Sequence, residues 1–133
     1  MAASDALPLS LSLRDELAAA LARRQPLLVL VSLDGCPFCK EARQNYLRPL
    51  LEQEGQAVVQ LDMRSRQPVL DFRGASRTHD AMVRHWGVKI APTVLFFGRD
   101  GVEAAERMAG AYIPDFYGAY LEQRLAQARA AVR

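Results

Sequence analysis

A run of five apolar residues, Leu27-Leu28-Val29-Leu30-Val31, constrains the fold of this chain more than any other feature. The run is too short for a buried helix of normal length, so it predicts a strand that is buried on both faces. Strands of this kind occur in sheets that helices cover on both sides. The chain has 133 residues, which is about the size of one domain. We therefore expect a single α/β domain built around a small sheet.

Patterns on either side of this run predict the element order α-β-α-β-α-β-β-α, which defines a mixed sheet with helices on both faces. The predicted segments are a loose lead-in over 1–11; helices that begin near 12, 37, 78 and 114; strands over 27–31, 57–61, 93–97 and 102–108; and a short extra strand and turn over 69–74. Ser12 is the expected N-cap of the first helix. Pro49 is expected to break or kink the second helix.

Two cysteines follow the apolar run in the sequence Asp34-Gly35-Cys36-Pro37-Phe38-Cys39. They are the only cysteines in the chain, which excludes a multi-disulfide scaffold and a four-cysteine zinc or iron–sulfur site. The spacing places Cys36 at a helix N-terminus, where unpaired backbone N–H groups favour a thiolate. Cys39 lies one turn further on and can attack a mixed disulfide formed on Cys36. We therefore predict that Cys36 and Cys39 are catalytic and that Pro37 and Phe38 tune them.

Two other interpretations of the cysteine pair are a metal site and a purely structural disulfide. A metal site would need two more ligands, and the only histidines are His79 and His85, about 40 residues away and six apart. A purely structural disulfide would close so small a loop that its entropic gain is slight. A redox pair is favoured over both, and it needs neither a metal nor an organic cofactor because the dithiol carries the two electrons. The two histidines are then expected at the surface of a short helix.

A second segment, Gly87-Val88-Lys89-Ile90-Ala91-Pro92-Thr93 followed by an apolar strand, a Gly-Arg-Asp-Gly turn and Gly110, completes a recognisable pattern. Together with Cys-Pro-Phe-Cys after the first buried strand, it resembles the thioredoxin family over roughly residues 12–127. The resemblance implies a thioredoxin-like fold and thiol–disulfide exchange with protein substrates, with a separate redox partner that recycles the pair. It also implies that Pro92 follows a cis bond and faces the cysteines, and that Ala91 and Pro92 contact the substrate.

The chain departs from thioredoxins at four positions. Leu30 stands where the family has a buried acid, Gly35 stands where it has an aromatic residue, and Pro37-Phe38 is closer to the dipeptide of glutaredoxins. These departures leave the redox direction open. They also leave three alternatives: a redox-inactive binding or adaptor module, a glutaredoxin-like enzyme that depends on glutathione, and a metallochaperone.

The domain is expected to span 12–133 and to carry an insertion over about 63–77 relative to a minimal thioredoxin. This insertion and the segment 110–116 resemble the bacterial thioredoxin-related proteins typified by the sulfur-oxidation thioredoxin SoxW. Those proteins are generally exported, so the resemblance implies a periplasmic location. The start of the chain, residues 1–5, lacks the basic and apolar regions of a signal peptide, which leaves a cytoplasmic location open.

The charge of the chain is nearly balanced, with a net charge of +2. Residues 64–89 concentrate positive charge, with six Arg or Lys against two Asp. A rim that steers an acidic partner is one interpretation, and an ordinary solvated surface is favoured over it. No nucleic-acid-binding motif and no apolar run long enough for a transmembrane helix is present in the sequence. We expect a monomer that binds no nucleic acid and does not span a membrane.

Overall fold

The computed structural model of the chain describes residues 6–110 and 114–133. In chain order the elements are α1 (Leu13–Ala22), β1 (Leu27–Ser32), α2 (Pro37–Ala42), a π-helical segment (Arg43–Leu47), α3 (Arg48–Glu54), β2 (Val58–Asp62), β3 (Pro68–Leu70), β4 (Ser76–Thr78), α4 (His79–His85), β5 (Thr93–Phe97), a 3-10 turn (Arg99–Gly101), β6 (Glu103–Ala109) and α5 (Pro114–Ala131). No helix in these two described parts of the chain is long and apolar enough to cross a membrane.

Four strands form the main sheet in the order β2-β1-β5-β6. The strand β1 runs parallel to β2 and antiparallel to β5, and β6 pairs antiparallel with β5. All six residues of β1 are buried, as the apolar run predicts. The predicted α/β class with a small mixed sheet is therefore confirmed.

Successive residues of β1 face two separate hydrophobic clusters, because side chains alternate across a strand. Val29 and Val31 belong to the cluster that includes residues of α1 and α4. Leu28 and Leu30 belong to the cluster that includes residues of α2 and α5. Helices therefore cover both faces of the sheet, and the cysteine pair lies on the α2 side.

The first helix begins at the predicted cap. The Ser12 hydroxyl accepts a hydrogen bond from the backbone N–H of Asp15. Glu16 completes the cap, because its carboxylate accepts hydrogen bonds from the backbone N–H groups of Leu11 and Ser12. Two side chains thus satisfy N–H groups that a helix start leaves unpaired.

Residues 6–11, expected as a loose lead-in, are paired with the sheet. Gln60 donates its backbone N–H to the Pro8 carbonyl at 2.8 Å and accepts at its own carbonyl from the N–H of Ser10 at 2.9 Å. Leu7 and Ser10 are buried. The segment adds short parallel pairing to the outer edge of β2, which the composition of the lead-in did not indicate.

Pro49 does not end the helix that follows the cysteines. The chain passes from α2 through the π-helical segment into α3, where the proline stands in the first turn. A proline lacks the N–H of the regular i→i−4 bond, and the α-helical pattern is interrupted by the π-helical segment that ends two residues before it. Gly55, with φ of +66°, then ends α3 in the left-handed conformation.

The stretch 68–78 forms a separate two-stranded antiparallel hairpin of β3 and β4. The extra strand was expected over 69–72, but it ends at Leu70, and its partner strand was not predicted. Asp71 makes the turn between them by accepting hydrogen bonds from the backbone N–H groups of Arg73 and Ala75, both at 2.9 Å. Such carboxylate-to-backbone bonds are the reason that Asp favours turns.

The expectation that His79 lies at the surface is wrong, because its side chain is 0% exposed. Its Nδ1 accepts a hydrogen bond from the backbone N–H of Asp62 at 3.1 Å, and its Nε2 lies 2.9 Å from the Ser10 carbonyl oxygen. With Nδ1 accepting, Nε2 carries the proton and donates it to Ser10. His79 therefore ties the lead-in segment, β2 and α4 together, and both of its ring nitrogens are occupied. His85 is exposed, as predicted.

Candidate functional site

The two cysteines lie where β1 leads into α2, and they form a disulfide. The Cys36 sulfur also accepts a hydrogen bond from the backbone N–H of Cys39, with an N···S distance of 3.1 Å. Cys39 is only 1% exposed, whereas Cys36 is partly exposed. The pair thus has one accessible sulfur and one sulfur that is shielded from other molecules.

The backbone before α2 determines how the pair is presented. Cys36 has the extended backbone of an N-cap and Pro37 occupies the first turn, as their spacing predicts. Gly35 has φ of +73°, a left-handed conformation that glycine adopts without steric cost. A Cβ at this position would meet no atom within 4 Å beyond those of Gly35 and its two chain neighbours. The position before Cys36 therefore leaves open space where an aromatic side chain would stand in thioredoxins.

The loop before β5 approaches the disulfide from another side. The Ala91–Pro92 peptide bond is cis, and the Ala91 carbonyl oxygen lies 3.9 Å from the Cys36 sulfur. The Pro92 carbonyl accepts a hydrogen bond from the N–H of Gly110 at 2.8 Å, which connects the loop to the end of β6. The structure therefore brings Ala91 next to Cys36, with Pro92 buried behind it.

Large apolar side chains are exposed on both segments that meet at the disulfide. Phe38 is 55% exposed and Ile90 is 51% exposed. The Ile90 carbonyl accepts a 2.6 Å hydrogen bond from the Thr93 hydroxyl, which holds the backbone of the loop in place. Exposed apolar groups around a reactive sulfur are suited to contact another polypeptide.

Behind the cysteines, Leu30 is 0% exposed and packs in the cluster between the sheet, α2 and α5. The position where thioredoxins have a buried acid is thus occupied by hydrocarbon. Any carboxylate that assists the cysteines must come from another position.

A polar cleft of about 500 Å³ opens beside Cys36. Its lining includes Lys40 and Arg43 from the helical side and Gln60 and Asp62 from β2. The Arg43 guanidinium donates to the Ser32 hydroxyl at 3.3 Å and to the Gln60 side-chain oxygen at 3.4 Å. The Gln60 amide group donates in turn to Asp62 at 2.8 Å. These residues were not predicted as part of the site.

One signal in the sequence could have indicated part of this cleft. Arg43 lies seven residues after Cys36, which is two helical turns and therefore the same helix face. Gln60 and Asp62 could not be found in this way, because the register of β2 against β1 places them. That register pairs Leu30 with Gln60 and Ser32 with Asp62.

Trp86 packs among aromatic rings away from the cysteines. Its ring lies 5.0 Å from Phe97 and 6.4 Å from Phe72, measured between centroids. Phe97 pairs with Leu27 at the start of β1, whereas Cys36 follows the end of that strand. The aromatic cluster and a cavity of about 850 Å³ beside it, which Arg73 and Asp100 also line, therefore lie at the opposite end of the sheet.

The basic stretch 64–89 is partly neutralised by its own acids. Arg77 lies 3.7 Å from Asp71, and Arg84 lies 3.2 Å from Asp80. The Thr78 hydroxyl, followed by Arg84 and the N–H of Ala81, stabilises the Asp80 carboxylate and lowers its pKa. These contacts are consistent with the solvated surface that the sequence favoured.

The fold and the cysteine pair together define a thioredoxin-like architecture, and the comparisons with known proteins agree. A family model described as thioredoxin-like domain matches residues 13–125. The chain therefore belongs to the thioredoxin-like family. A comparison with curated proteins finds no match.

Solved structures with the same fold include three bacterial proteins. A thioredoxin from Thermus thermophilus is 18% identical with a TM-score of 0.58, and the match covers 92% of this chain and 87% of that one. Trxlp from Edwardsiella tarda is 27% identical with a TM-score of 0.52, covering 86% and 95%. The periplasmic thioredoxin SoxS from Paracoccus pantotrophus is 20% identical with a TM-score of 0.50, covering 78% and 99%. Similarity at this level shows the shared fold.

Proposed function

We propose that the protein is a thiol–disulfide oxidoreductase that exchanges the Cys36–Cys39 pair with cysteines of protein substrates. The observation that carries this proposal is the asymmetric disulfide, which has a partly exposed Cys36 sulfur and a buried Cys39 sulfur. A hydrogen bond from the Cys39 N–H to the Cys36 sulfur would also stabilise a thiolate there.

In the reducing direction, the Cys36 thiolate attacks one sulfur of a substrate disulfide and releases the other as a thiolate. Cys39 then loses its proton and attacks Cys36, which releases the second substrate thiolate and forms the Cys36–Cys39 disulfide. Two electrons pass from the protein to the substrate, and the reverse sequence oxidises a substrate dithiol. No metal or organic cofactor takes part in either direction.

The neighbouring residues have complementary roles in this proposal. Ala91 and Pro92 contact the backbone of the substrate next to its disulfide, supported by the position of the Ala91 carbonyl 3.9 Å from the Cys36 sulfur. Pro37 shapes the first turn that carries the pair. Phe38 provides exposed apolar surface for a protein partner.

The test is reduction of insulin disulfides with dithiothreitol as the recycling thiol, compared between the wild type and the Cys36→Ser and Cys39→Ser variants. Only the wild type is expected to turn over. Cys39→Ser should accumulate a mixed disulfide with its substrate, and Cys36→Ser should not. An accessible pair without turnover would instead indicate a redox-inactive binding module. Retention of activity on a glutathionylated substrate by Cys39→Ser would indicate a glutaredoxin-like mechanism.

The redox direction is decided by the reduction potential of the pair in glutathione buffers. A value near about −270 mV would identify a reductant, and one near about −120 mV an oxidant.

We further propose a periplasmic location and SoxW-type specificity, supported by the resemblance over the 63–77 and 110–116 segments. Fractionation of cells that express the complete natural gene tests the location, and recovery with a cytoplasmic marker would contradict it.

A further inference from the structure

We propose that the polar cleft beside Cys36 binds the zwitterionic end of a small amino-acid disulfide, the chemistry shared by cystine and glutathione disulfide. This inference rests on the proposed function, because it names a substrate class for the same cysteine pair. Arg43 binds the carboxylate of the ligand, and Asp62 binds its ammonium group.

The position of the cleft supports a binding role. The strands β1 and β2 are parallel, and their carboxyl ends meet where Ser32 pairs with Asp62. Ligands of α/β proteins commonly bind outside the carboxyl ends of such strands. The cleft of about 500 Å³ has Cys36 in its lining and lies within the size range of small-molecule sites, about 300–1,000 Å³. A ligand in the cleft would therefore lie beside Cys36.

The charges of the cleft are the central observation. Arg43 is half-buried, and its side-chain partners are the neutral Ser32 and Gln60. Asp62 is also half-buried, and its carboxylate accepts from the neutral Gln60 amide. The Gln60 side chain stands between the cation and the carboxylate. In the described parts of the chain neither charge takes part in an ion pair.

Two further charged residues lie at the rim of the cleft. Lys40 and Asp34 line the cleft, are exposed, and have no ion-pair partner in the part of the chain that the structure describes. The lining thus contains two positive and two negative groups. A partly desolvated charge is stabilised by an opposite charge that a ligand brings. A ligand with both a carboxylate and an ammonium group can pair with the charges of both signs. A simple anion would pair with the two cations but would be repelled by the two carboxylates.

The residue before Cys36 adds no side chain to the approach, and Cys36 itself is partly exposed. A Cβ on Gly35 would meet no atom within 4 Å other than those of Gly35 and its neighbours Asp34 and Cys36. A compact ligand can therefore place its sulfur at Cys36 while its charged end lies in the cleft.

The reaction balances without a further reactant. The Cys36 thiolate attacks one sulfur of the disulfide RSSR, forming the mixed disulfide Cys36–S–S–R and releasing one thiolate RS⁻. Cys39, after losing its proton, attacks Cys36 and releases the second RS⁻. The protein dithiol is oxidised by two electrons, RSSR is reduced to two thiols, and protons from the cysteines and solvent protonate the products.

The test measures single-turnover oxidation of the fully reduced protein by five small disulfides. Cystine and glutathione disulfide are zwitterionic, dithiodipropionate is anionic, cystamine is cationic and hydroxyethyl disulfide is neutral. Each rate constant is divided by that of the same disulfide with dithiothreitol, which removes differences in intrinsic reactivity. The wild type is expected to prefer the zwitterions over the neutral disulfide by about tenfold, the size of one or two favourable charge contacts.

Asp62→Asn removes one charge and keeps the shape of the side chain, and Arg43→Met removes the other charge together with the guanidinium that bonds to Ser32 and Gln60. Each should lower the preference for the zwitterions about three- to tenfold. Arg43→Met should also weaken the reaction of dithiodipropionate relative to cystamine, and Asp62→Asn should do the opposite. The matched controls, Arg73→Met and Asp100→Asn, line the cavity at the other end of the sheet and should change none of these ratios.

Each outcome decides between defined alternatives. No preference for zwitterions in the wild type, unchanged ratios in the two variants, or an effect of only one variant would overturn the inference. Insulin reduction by the same samples tests the proposed function separately from the cleft. Insulin turnover without a preference for zwitterions refutes only the proposed binding in the cleft. No reaction with any disulfide refutes both the binding and the oxidoreductase function. Because hydroxyethyl disulfide carries no charge, the ratios are insensitive to a general loss of Cys36 reactivity or of folded protein.

Discussion

Replacement of His79 by leucine tests whether the junction between the lead-in, β2 and α4 contributes to stability. His79 is fully buried and bonds to the Ser10 carbonyl at 2.9 Å and to the Asp62 N–H at 3.1 Å. Leucine fills similar space but can form neither bond, so both backbone groups lose their partner.

The size of the effect follows from the burial of the two bonds. Ser10 is also 0% exposed, so its carbonyl becomes an unsatisfied buried acceptor, at a cost of about 1–3 kcal/mol. Asp62 lies nearer the surface, where water can replace the histidine, and the lost bond costs about 0.5–1.5 kcal/mol. We expect His79→Leu to lower the free energy of unfolding by about 1.5–4.5 kcal/mol, a substantial part of the usual total of about 5–15 kcal/mol.

Urea unfolding at pH 7, followed by circular dichroism, measures this difference. His85→Leu is the matched control on the same helix, because His85 is exposed and forms no hydrogen bond in the described parts of the chain. Its effect should stay within about 0.5 kcal/mol. A loss below about 1 kcal/mol for His79→Leu, or equal losses in both variants, would refute the reasoning.

Three further outcomes are expected. Asp80→Asn should weaken the dependence of the urea midpoint on pH in the acid range. The Thr78 hydrogen bond lowers the pKa of Asp80 in the folded state. The ionised Asp80 therefore stabilises the fold above its unfolded pKa of about 3.9, and this stabilisation is lost as the pH falls below that value. An unchanged slope of midpoint against pH between 5 and 2 would contradict this. In the reduced wild type, iodoacetamide should modify Cys36 well before Cys39, since Cys39 is only 1% exposed; peptide mass spectrometry gives the order, and equal labelling would be inconsistent with the assigned roles. Phe38→Ala should slow insulin reduction about two- to tenfold while changing the unfolding free energy by under about 0.5 kcal/mol, because Phe38 is 55% exposed; an unchanged rate would remove Phe38 from the substrate surface.

The central strands were predictable because their signal is local. The apolar run before the cysteines and the run over 93–97 are continuous in sequence, and each forms a buried strand of the main sheet. The helix starts near 12 and 78 were predictable for the same reason, since Ser12 and Thr78 each bond within the first turn of the helix that they cap. Both helices start at the predicted residue.

Features that depend on distant parts of the chain were not predictable. His79 resembles a surface residue at a helix start, and only the arrival of Ser10 and Asp62 from two other segments buries it. The lead-in carries no pattern of its own, and its pairing is specified by the exposed edge of β2 through Gln60. These contacts join residues far apart in sequence.

The same distinction holds within the candidate site. Cys36, Cys39 and Pro37 form one local unit, and its helical geometry follows from their spacing. The polar cleft combines Arg43 from the helical side with Gln60 and Asp62 from β2, so it exists only once the strand register is set. That the stretch 63–77 is an insertion relative to a minimal thioredoxin stays a prediction; in the structure this stretch contains β3 and most of β4.

The pairing of the lead-in with β2 bears on the solubility of the protein. In the main sheet, β2 and β6 are the outer strands. Unpaired backbone N–H and C=O groups on an outer strand can form hydrogen bonds with strands of other chains. Pro8 and Ser10 occupy both backbone groups of Gln60. A protein shortened to begin at Ser12 would present those groups to any extended segment, including β2 of a second copy, and would be prone to aggregate with rising concentration.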